Sequence, residues 1–408
     1  MAVNKHVSPS SKTITNILTL RYNPAAKPLI KKLTWKDFTE KQSSHSTDFI
    51  EKTIQNYFKK NIKNSKKTKV SIALSGGIDS SLALAILRKT CPDISINAIS
   101  IKFADSIDES DQAKKIADKF NADHNVLYLE NFLEILPKAL SIIELPFWDL
   151  HWVYVVERAK SFSNILVSGD GGDELFGGYT FRYKKFLSLI KKNSKPRDKV
   201  KTYLNCHERD WVSDQEKIFT KKSQFSWEKI YDSIEKYFDN PLSPLSQVFL
   251  ADFNGKLLYN WIPLYTKIHQ HFRVRQVSPL LSPEMISFAT HLSIEQKYDV
   301  KKNMGKSLLR ELLKKYLSNK LLAKKKQGFS MNTQNLWKTH GLDLCKYYLS
   351  DARIVNDGWI NGEWVKSRLK KLEKESHIRY VNKFLGLLAF EIWYRLFITK
   401  EMKSTSKI

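Results

Sequence analysis

Cysteine is scarce: the 408 residues contain three, Cys91, Cys206 and Cys345, far apart and without metal-ligand spacing. That excludes a disulfide framework and suits a reducing compartment. Long apolar runs are missing as well. No uninterrupted stretch approaches the ~18 residues of a membrane-spanning helix, and the opening MAVNKHVSPSSKTITN has no continuous apolar h-region. A cytoplasmic protein without a transmembrane segment is the expectation. No internal repeat is apparent. Acidic residues are in deficit, 42 Asp+Glu against 68 Lys+Arg, so the formal charge is +26. This balance would suit nucleic acid, an anionic membrane surface or a polyanionic ligand, and it selects none of them. Clusters such as Lys66-Lys67 and Lys324-Lys325-Lys326 come without the Gly-rich or aromatic signatures of RNA binding. A solvated, lysine-rich face is the simpler reading, and nucleic acid is not an expected partner.

What is present is a globular balance, 42% hydrophobic and 27% charged, in a chain long enough for two domains. Residues 1–69 carry 15 Lys+Arg and 4 Asp+Glu, with one helix expected over Asp48–Lys60, and read as a basic N-terminal arm or cap. From residue 70 the rhythm changes. Val70–Leu74 is an apolar strand, Ser75-Gly-Gly-Ile-Asp-Ser80 a turn and Ser81–Lys89 a helix. Ile94–Phe103 and Asn125–Leu129 read as strands, Glu109–Phe120 and Asn131–Ile143 as helices, and Ile165–Val167 as a further buried strand. The alternation predicts an α/β fold with a parallel sheet. After Arg182 the pattern turns helical, with little sign of another strand. The division expected is therefore an arm over 1–69, a sheet core over 70–190 and a mostly helical region over 191–408, which the resemblance given below makes the acceptor side.

Two glycine-rich turns follow strands of this sheet, where open sheets place their ligands. The first offers the backbone N–H groups of Gly76 and Gly77 and the hydroxyls of Ser75, Ser80 and Ser81 at a helix start, a cradle for pyrophosphate. It is neither a Walker loop nor a dinucleotide fingerprint. Asp79 inside it would repel phosphate unless a divalent cation intervened, and magnesium resolves the conflict through shared oxygen ligands. Asp173, in the second turn Ser168-Gly-Asp-Gly-Gly-Asp-Glu-Leu-Phe-Gly-Gly-Tyr179, is the natural second ligand. Gly169 and Asp170 flank the same site, and Glu174 reads equally well as a helix cap.

Together these segments resemble the synthetase domain of the asparagine synthase family, within the PP-loop ATP pyrophosphatases. The resemblance covers roughly residues 70–400. Further matches are Asp108-Glu109, His124, Pro146-Phe147-Trp148-Asp149, Lys306-Ser-Leu-Leu-Arg310 and Lys326-Gln-Gly-Phe329. The resemblance implies a PP-loop ATP-binding core over 70–190 and an AMP-forming amide ligase using ATP and Mg2+. A substrate carboxylate becomes an acyl-adenylate, which ammonia or another amine attacks. Ser75, Gly76, Gly77, Asp79, Ser80, Ser81 and Gly169 would hold the nucleotide, Asp79 and Asp173 the metal, and Lys326, Lys306 and Asp170 would serve catalysis.

The chain also departs from that pattern. Ala2 follows Met1, and too few residues precede the sheet core for the glutaminase domain of asparagine-forming members. Free ammonia, a separate glutaminase or a different amine is then the expected nitrogen source. Asp170 stands where those members carry glutamate. Arg275, Val277 and Ser282 stand where the family commonly has glutamate, arginine and aspartate, and Leu145 replaces a glutamate before Pro146 unless Glu144 takes its role. The expected partners are a carboxylate substrate, be it an amino acid, a peptide or a secondary metabolite, an amine or ammonia, and a possible glutaminase or peptide-binding subunit. Two alternatives remain open: a PP-loop enzyme that modifies tRNA, opposed by the long second loop, and a decayed scaffold, opposed by the survival of Asp79, Asp173 and Lys326.

Overall fold

The computed structural model describes residues 10–41, 46–104, 110–318, 321 and 331–408. Its centre is a five-stranded sheet of β1 (Lys69–Ala73), β2 (Ser95–Phe103), β3 (Asp123–Leu129), β4 (Ile165–Val167) and β5 (Arg275–Val277). The strand order is β3-β2-β1-β4-β5, with every pairing parallel. β1 is buried at every position after Lys69, as expected of a strand covered on both faces.

Helices α2 (Ser46–Asn61), α3 (Ile78–Thr90), α4 (Ser110–Lys119) and α5 (Leu136–Ile143) sit where the sequence predicts them, and the fold adds α1 (Ser11–Leu20) and, ahead of β4, α6 (Trp152–Lys160). Two buried clusters flank the sheet. Ile72, Leu74 and Val167 enter one with α2 and α3, whereas Ala73, Ile99 and Leu166 enter the other with α5, α6 and the C-terminal helix Ile378–Phe397. The alternation of side chains along each strand makes this division.

The sheet reverses direction at β1: the chain builds outward through β2 and β3, then returns to place β4 on the other side of β1. The two glycine-rich turns follow β1 and β4. They therefore leave neighbouring strands at the switch point, the crevice where doubly wound sheets bind ligands.

Besides α6, two elements differ from the sequence reading. β5 lies well beyond Arg182, where no further strand was expected, and extends the sheet beside β4 in the register Ile165↔Arg275 and Val167↔Val277. Three residues squeezed between a helix end and Pro279 are too few to show a strand period. The arm also holds a second helix, α1, in which Ile14 through Leu20 are all buried. Its Thr and Asn residues disguise it as polar chain, but their burial is compensated. Gln215 donates to the Leu18 carbonyl and the Thr19 hydroxyl at 3.1 and 2.9 Å, and Lys383 of the C-terminal helix donates to the same carbonyl. Farther along, Asn254 and the Leu33 backbone exchange hydrogen bonds of 3.0 and 2.8 Å. Among the described residues, no helix is long and apolar enough to cross a membrane.

Candidate active site

The first turn joins β1 to α3. Gly77 is the N-cap of α3, so Asp79 lies in the helix's first turn. Serine hydroxyls fold the turn on itself: the Ser75 amide donates to Ser80 Oγ at 3.3 Å, the Gly77 amide to Ser75 Oγ at 3.3 Å, and Ser80 Oγ to the Gly77 carbonyl at 3.4 Å. Gly76 takes a left-handed φ of 71° beside Gln112, whose amide donates to the Leu321 carbonyl at 2.6 Å. Ser81 is enclosed in the helix–sheet contact. Behind the turn, Ser100 Oγ donates to the Leu74 carbonyl at 2.6 Å and pairs with His124 Nε2 at 2.8 Å. Burial, followed by the charge of Lys114, lowers the His124 pKa. A neutral His124 thus buttresses the end of β1.

The second turn follows β4 and opens the short helix Gly172–Leu175. It presses directly onto the first. A Cβ at Gly169 would meet Ser80 N at 2.8 Å, and a Cβ at Gly172 would meet Asp79 Oδ1 at 2.5 Å, so only glycine permits the approach. Asp79 and Asp173 consequently face the same ammonium, that of Lys306. It pairs with Asp79 Oδ2 and, at 2.7 Å, with Asp173 Oδ1. Lys306 itself is in the left-handed region, φ 62°, with its amide donating to the Phe176 carbonyl at 2.9 Å. Burial opposes its charge, yet Asp79 and Asp173 outweigh burial and raise the ammonium pKa above the ordinary lysine value.

Asp170 sits one step away on the β5 side. Ser168 Oγ donates to its Oδ2 at 2.6 Å and Gln276 Nε2 at 3.3 Å, while Gln276 also donates to Ser278 Oγ at 3.1 Å. Burial pushes the Asp170 pKa up to about 6, and the Asp79 charge adds to the rise against these hydrogen bonds. Glu174 accepts from the Tyr179 hydroxyl at 2.5 Å and is pushed up to about 7 by burial and then by Asp173. Arg182 lies over the Tyr179 ring at 3.8 Å and pairs with Asp252 at 3.0 Å, fastening the far end of the turn.

Geometry therefore brings together Asp79, Asp173, Lys306, Asp170, Gly169, Ser75, Gly76, Gly77 and Ser80. Lys326 and Asp108-Glu109 lie outside the described residues. Arg310 turns its Nε to the Gly305 carbonyl at 3.0 Å. Arg275, Val277 and Ser282, expected from the resemblance to have lost the family's polar roles, have other surroundings in the structure. Arg275 is exposed and bonded to Asn61, Val277 is in the core, and Ser282 caps the helix Pro283–Thr290. Their neighbours Gln276 and Ser278 face Asp170 instead. Period-two alternation along 275–278 is the signal that identifies them once β5 is recognised as a strand.

A further loop, Pro146–Asp149, lies just before α6, at the carboxyl-end pole of the sheet. Burial alone would raise the Asp149 carboxyl, but His151 at 2.9 Å and Arg21 at 3.3 Å hold it well below the usual carboxylate range. Arg21 comes from the end of α1 and lies 5.5 Å from the Trp148 ring centroid. No local feature of the sequence links residues 21 and 149.

Two carboxylates that converge on one ammonium, beside a helix start, suit a divalent cation and phosphate oxygens. Residues 60–395 match the asparagine synthase family. Putative asparagine synthetase [glutamine-hydrolyzing] 2 of Methanocaldococcus jannaschii is 36% identical over 115 residues, 27% of this chain and 22% of the relative. Asparagine synthetase [glutamine-hydrolyzing] 1 of Bacillus subtilis is 24% identical over 365 residues, 80% of this chain and 56% of the relative. Asparagine synthetase [glutamine-hydrolyzing] of Gallus gallus is 30% identical over 128 residues, 28% of this chain and 23% of the relative. The matches thus span less than two thirds of each of these relatives' own length. With the match running across most of the sheet and the helical region, this chain belongs to the asparagine synthase family.

Proposed function

We propose that the protein is an ATP-dependent, AMP-forming amide ligase that activates a carboxylate and transfers it to an amine. The observation that carries this reading is the shared ammonium: Asp79 and Asp173, on turns after neighbouring strands, converge on Lys306.

In this reading the amides of the Ser75–Ser80 turn and the α3 N-terminus receive the leaving pyrophosphate. A substrate carboxylate oxygen bonds to the α-phosphorus of ATP as the bond to pyrophosphate breaks. Asp79 and Asp173 would hold magnesium, which when bound neutralises charge on the phosphate oxygens. Among the described residues no third His, Cys, Asp or Glu is grouped with them, so substrate oxygens and water would complete the shell. Lys306 stays charged and counters the negative charge that develops at phosphorus, inside a half-buried cleft where a fixed cation is worth more than in water.

Amide formation then joins the amine nitrogen to the acyl carbon as the bond to AMP breaks and AMP departs with the electron pair. Asp170 takes the nitrogen's proton. With its pKa at about 6, it is ionised at neutral pH and basic enough to accept. The neutral partners Gln276 and Ser278 leave the side of Asp170 without the glutamate, arginine and aspartate that the family commonly carries along this stretch, which favours an acceptor other than free aspartate. Incubation with magnesium, ATP, a panel of carboxylates and 15N-ammonium or primary amines should yield AMP and pyrophosphate together with a labelled amide. Formation of ADP in place of AMP would reject the reaction.

A further inference from the structure

We infer that Tyr265 and Trp261 form, with Asp170, the seat of the incoming nucleophile, and that this seat takes a primary alkylamine entering as its ammonium ion. The inference rests on the ligase reading and names the class of its second substrate.

The topology sets the location. α6 leads into β4 and the helix Ile262–Phe272 leads into β5, and both strands run parallel side by side. Helices that return antiparallel to such strands begin at the strands' carboxyl ends. Trp152, the first residue of α6, and Trp261 and Tyr265, at the start of the other helix, therefore lie at the pole that carries Asp170. The three rings pack on one another: Tyr265 lies flat on Trp152, with centroids 4.6 Å apart and planes 7° apart, and meets Trp261 edge-on at 5.5 Å.

This placement is built in rather than incidental. The segment Phe253–Trp261 is kinked at Gly255, whose φ of −103° and ψ of −108° leave the helical region, and the kink re-aims the helix that continues from it. Trp152 is anchored from behind, its Nε1 donating to His269 Nε2 at 3.3 Å. Among the described residues, nothing hydrogen-bonds to the Tyr265 hydroxyl, and the residue is half-buried, so the group is fixed in position yet open. Burial and then the charges of Asp170, Asp149 and Glu174 raise its pKa well above the ordinary value. The phenol stays protonated, with its oxygen lone pairs available to an N–H donor.

A carboxylate beside aromatic faces is the combination that attracts an alkylammonium ion, through its charge and through the ring quadrupoles. Asp149 is neutralised by Arg21, which leaves Asp170 as the acidic member that takes the proton before attack. Ammonium offers no alkyl group to lie against Trp261, so the longer amine is favoured.

The test uses the full chain and its intrinsic fluorescence, to which Trp152 and Trp261 contribute among ten tryptophans; Trp261→Phe should reduce the amplitude of any change on binding. Titration with n-butylammonium chloride should give a saturable change, at least tenfold tighter than with ammonium chloride, and potassium chloride should give none. Tyr265→Phe, which keeps the ring stack, should weaken binding at least threefold, and Asp170→Asn at least tenfold. A flat titration overturns the inference, as does equal affinity for the two ions or an unaltered Tyr265→Phe. Pyrophosphate exchange into ATP with the carboxylate panel reports separately on the ligase reading. Exchange alongside a flat titration sinks the seat alone, whereas saturable binding without exchange leaves the seat and sinks the reaction.

Discussion

Gly172 lies so close to Asp79 that a side-chain carbon at position 172 would stand 2.5 Å from a carboxylate oxygen. Two glycine-rich turns distant in sequence are thereby packed into one surface, and the carboxylates they carry can share a cation. A methyl group there must push the turns apart, because the obstacle is a carboxylate held in place by Lys306. Gly172→Ala should keep the circular dichroism of the folded protein and lose pyrophosphate exchange by at least 100-fold. Exchange within threefold of the parent would show that the convergence is not needed.

Lys306 is a structural cation as well as a proposed catalytic one. Removing it leaves two carboxylates facing each other in a half-buried cleft. Breaking a buried pair on one side costs about 3–5 kcal/mol. Asp79 and Asp173 retain some solvent access, so the loss for Lys306→Met should be nearer ~2 kcal/mol. Magnesium should then stabilise the variant more than the parent, since it replaces the missing charge. Thermal melts with and without 10 mM magnesium, set as about the concentration of a weak oxygen site, read this directly; equal shifts in both proteins would contradict it.

His269 ties stability to pH. Its Nδ1–H donates to the Val274 carbonyl at 3.0 Å, its Nε2 accepts from Trp152, and burial lowers its pKa to about 4. An unfolded histidine titrates near 6.5. Because the unfolded state binds the proton first, the contribution is complete above about pH 6.5 and is lost as pH falls towards about 4. The difference corresponds to about 3 kcal/mol at most, at ~1.4 kcal/mol per pH unit. Urea unfolding between pH 7 and pH 4.5 should show this decline. His269→Gln should lower stability at pH 7 and flatten the slope, and an unchanged slope would remove His269 as its source.

The arm is held by burial rather than by its charges. Leu18 is 4% exposed and packs beside the C-terminal helix. Leu18→Ala should cost about 2–5 kcal/mol, as for other buried leucines. If α1 belongs to the core, the whole chain should unfold at lower urea in one transition. A separate early transition limited to the arm would show that it is a detachable cap.

Much of this was legible in the sequence, for stated reasons. β1, α3 and β4 show their apolar runs, and the turns after them show glycine, hydroxyl and carboxylate groups in one short span. Parallel strands buried on both faces give continuous apolar runs that stand out. β5 did not show because three residues carry no period, and the identities of Gln276 and Ser278 were lost with it. α1 was hidden because its buried face uses Thr15, Asn16 and Thr19: Thr15 and Asn16 donate within the arm, to the Ser11 carbonyl and to Asn23, whereas Thr19 accepts from Gln215, 196 positions away. The Arg21–Asp149 and Tyr265–Trp152 pairs were invisible on similar grounds, each joining elements whose proximity exists only after folding.

The hydrogen bond from Lys383 to the Leu18 carbonyl spans 365 positions, and it sets a schedule for synthesis. A ribosome adding roughly 5–20 residues each second exposes α1 for about 20–70 s before the helix that completes its surroundings emerges. During that interval Ile14, Ile17 and Leu18 have no finished surface to cover them. Deleting the C-terminal helix or slowing its synthesis should therefore lower the soluble yield more than an equally destabilising substitution in β1 would.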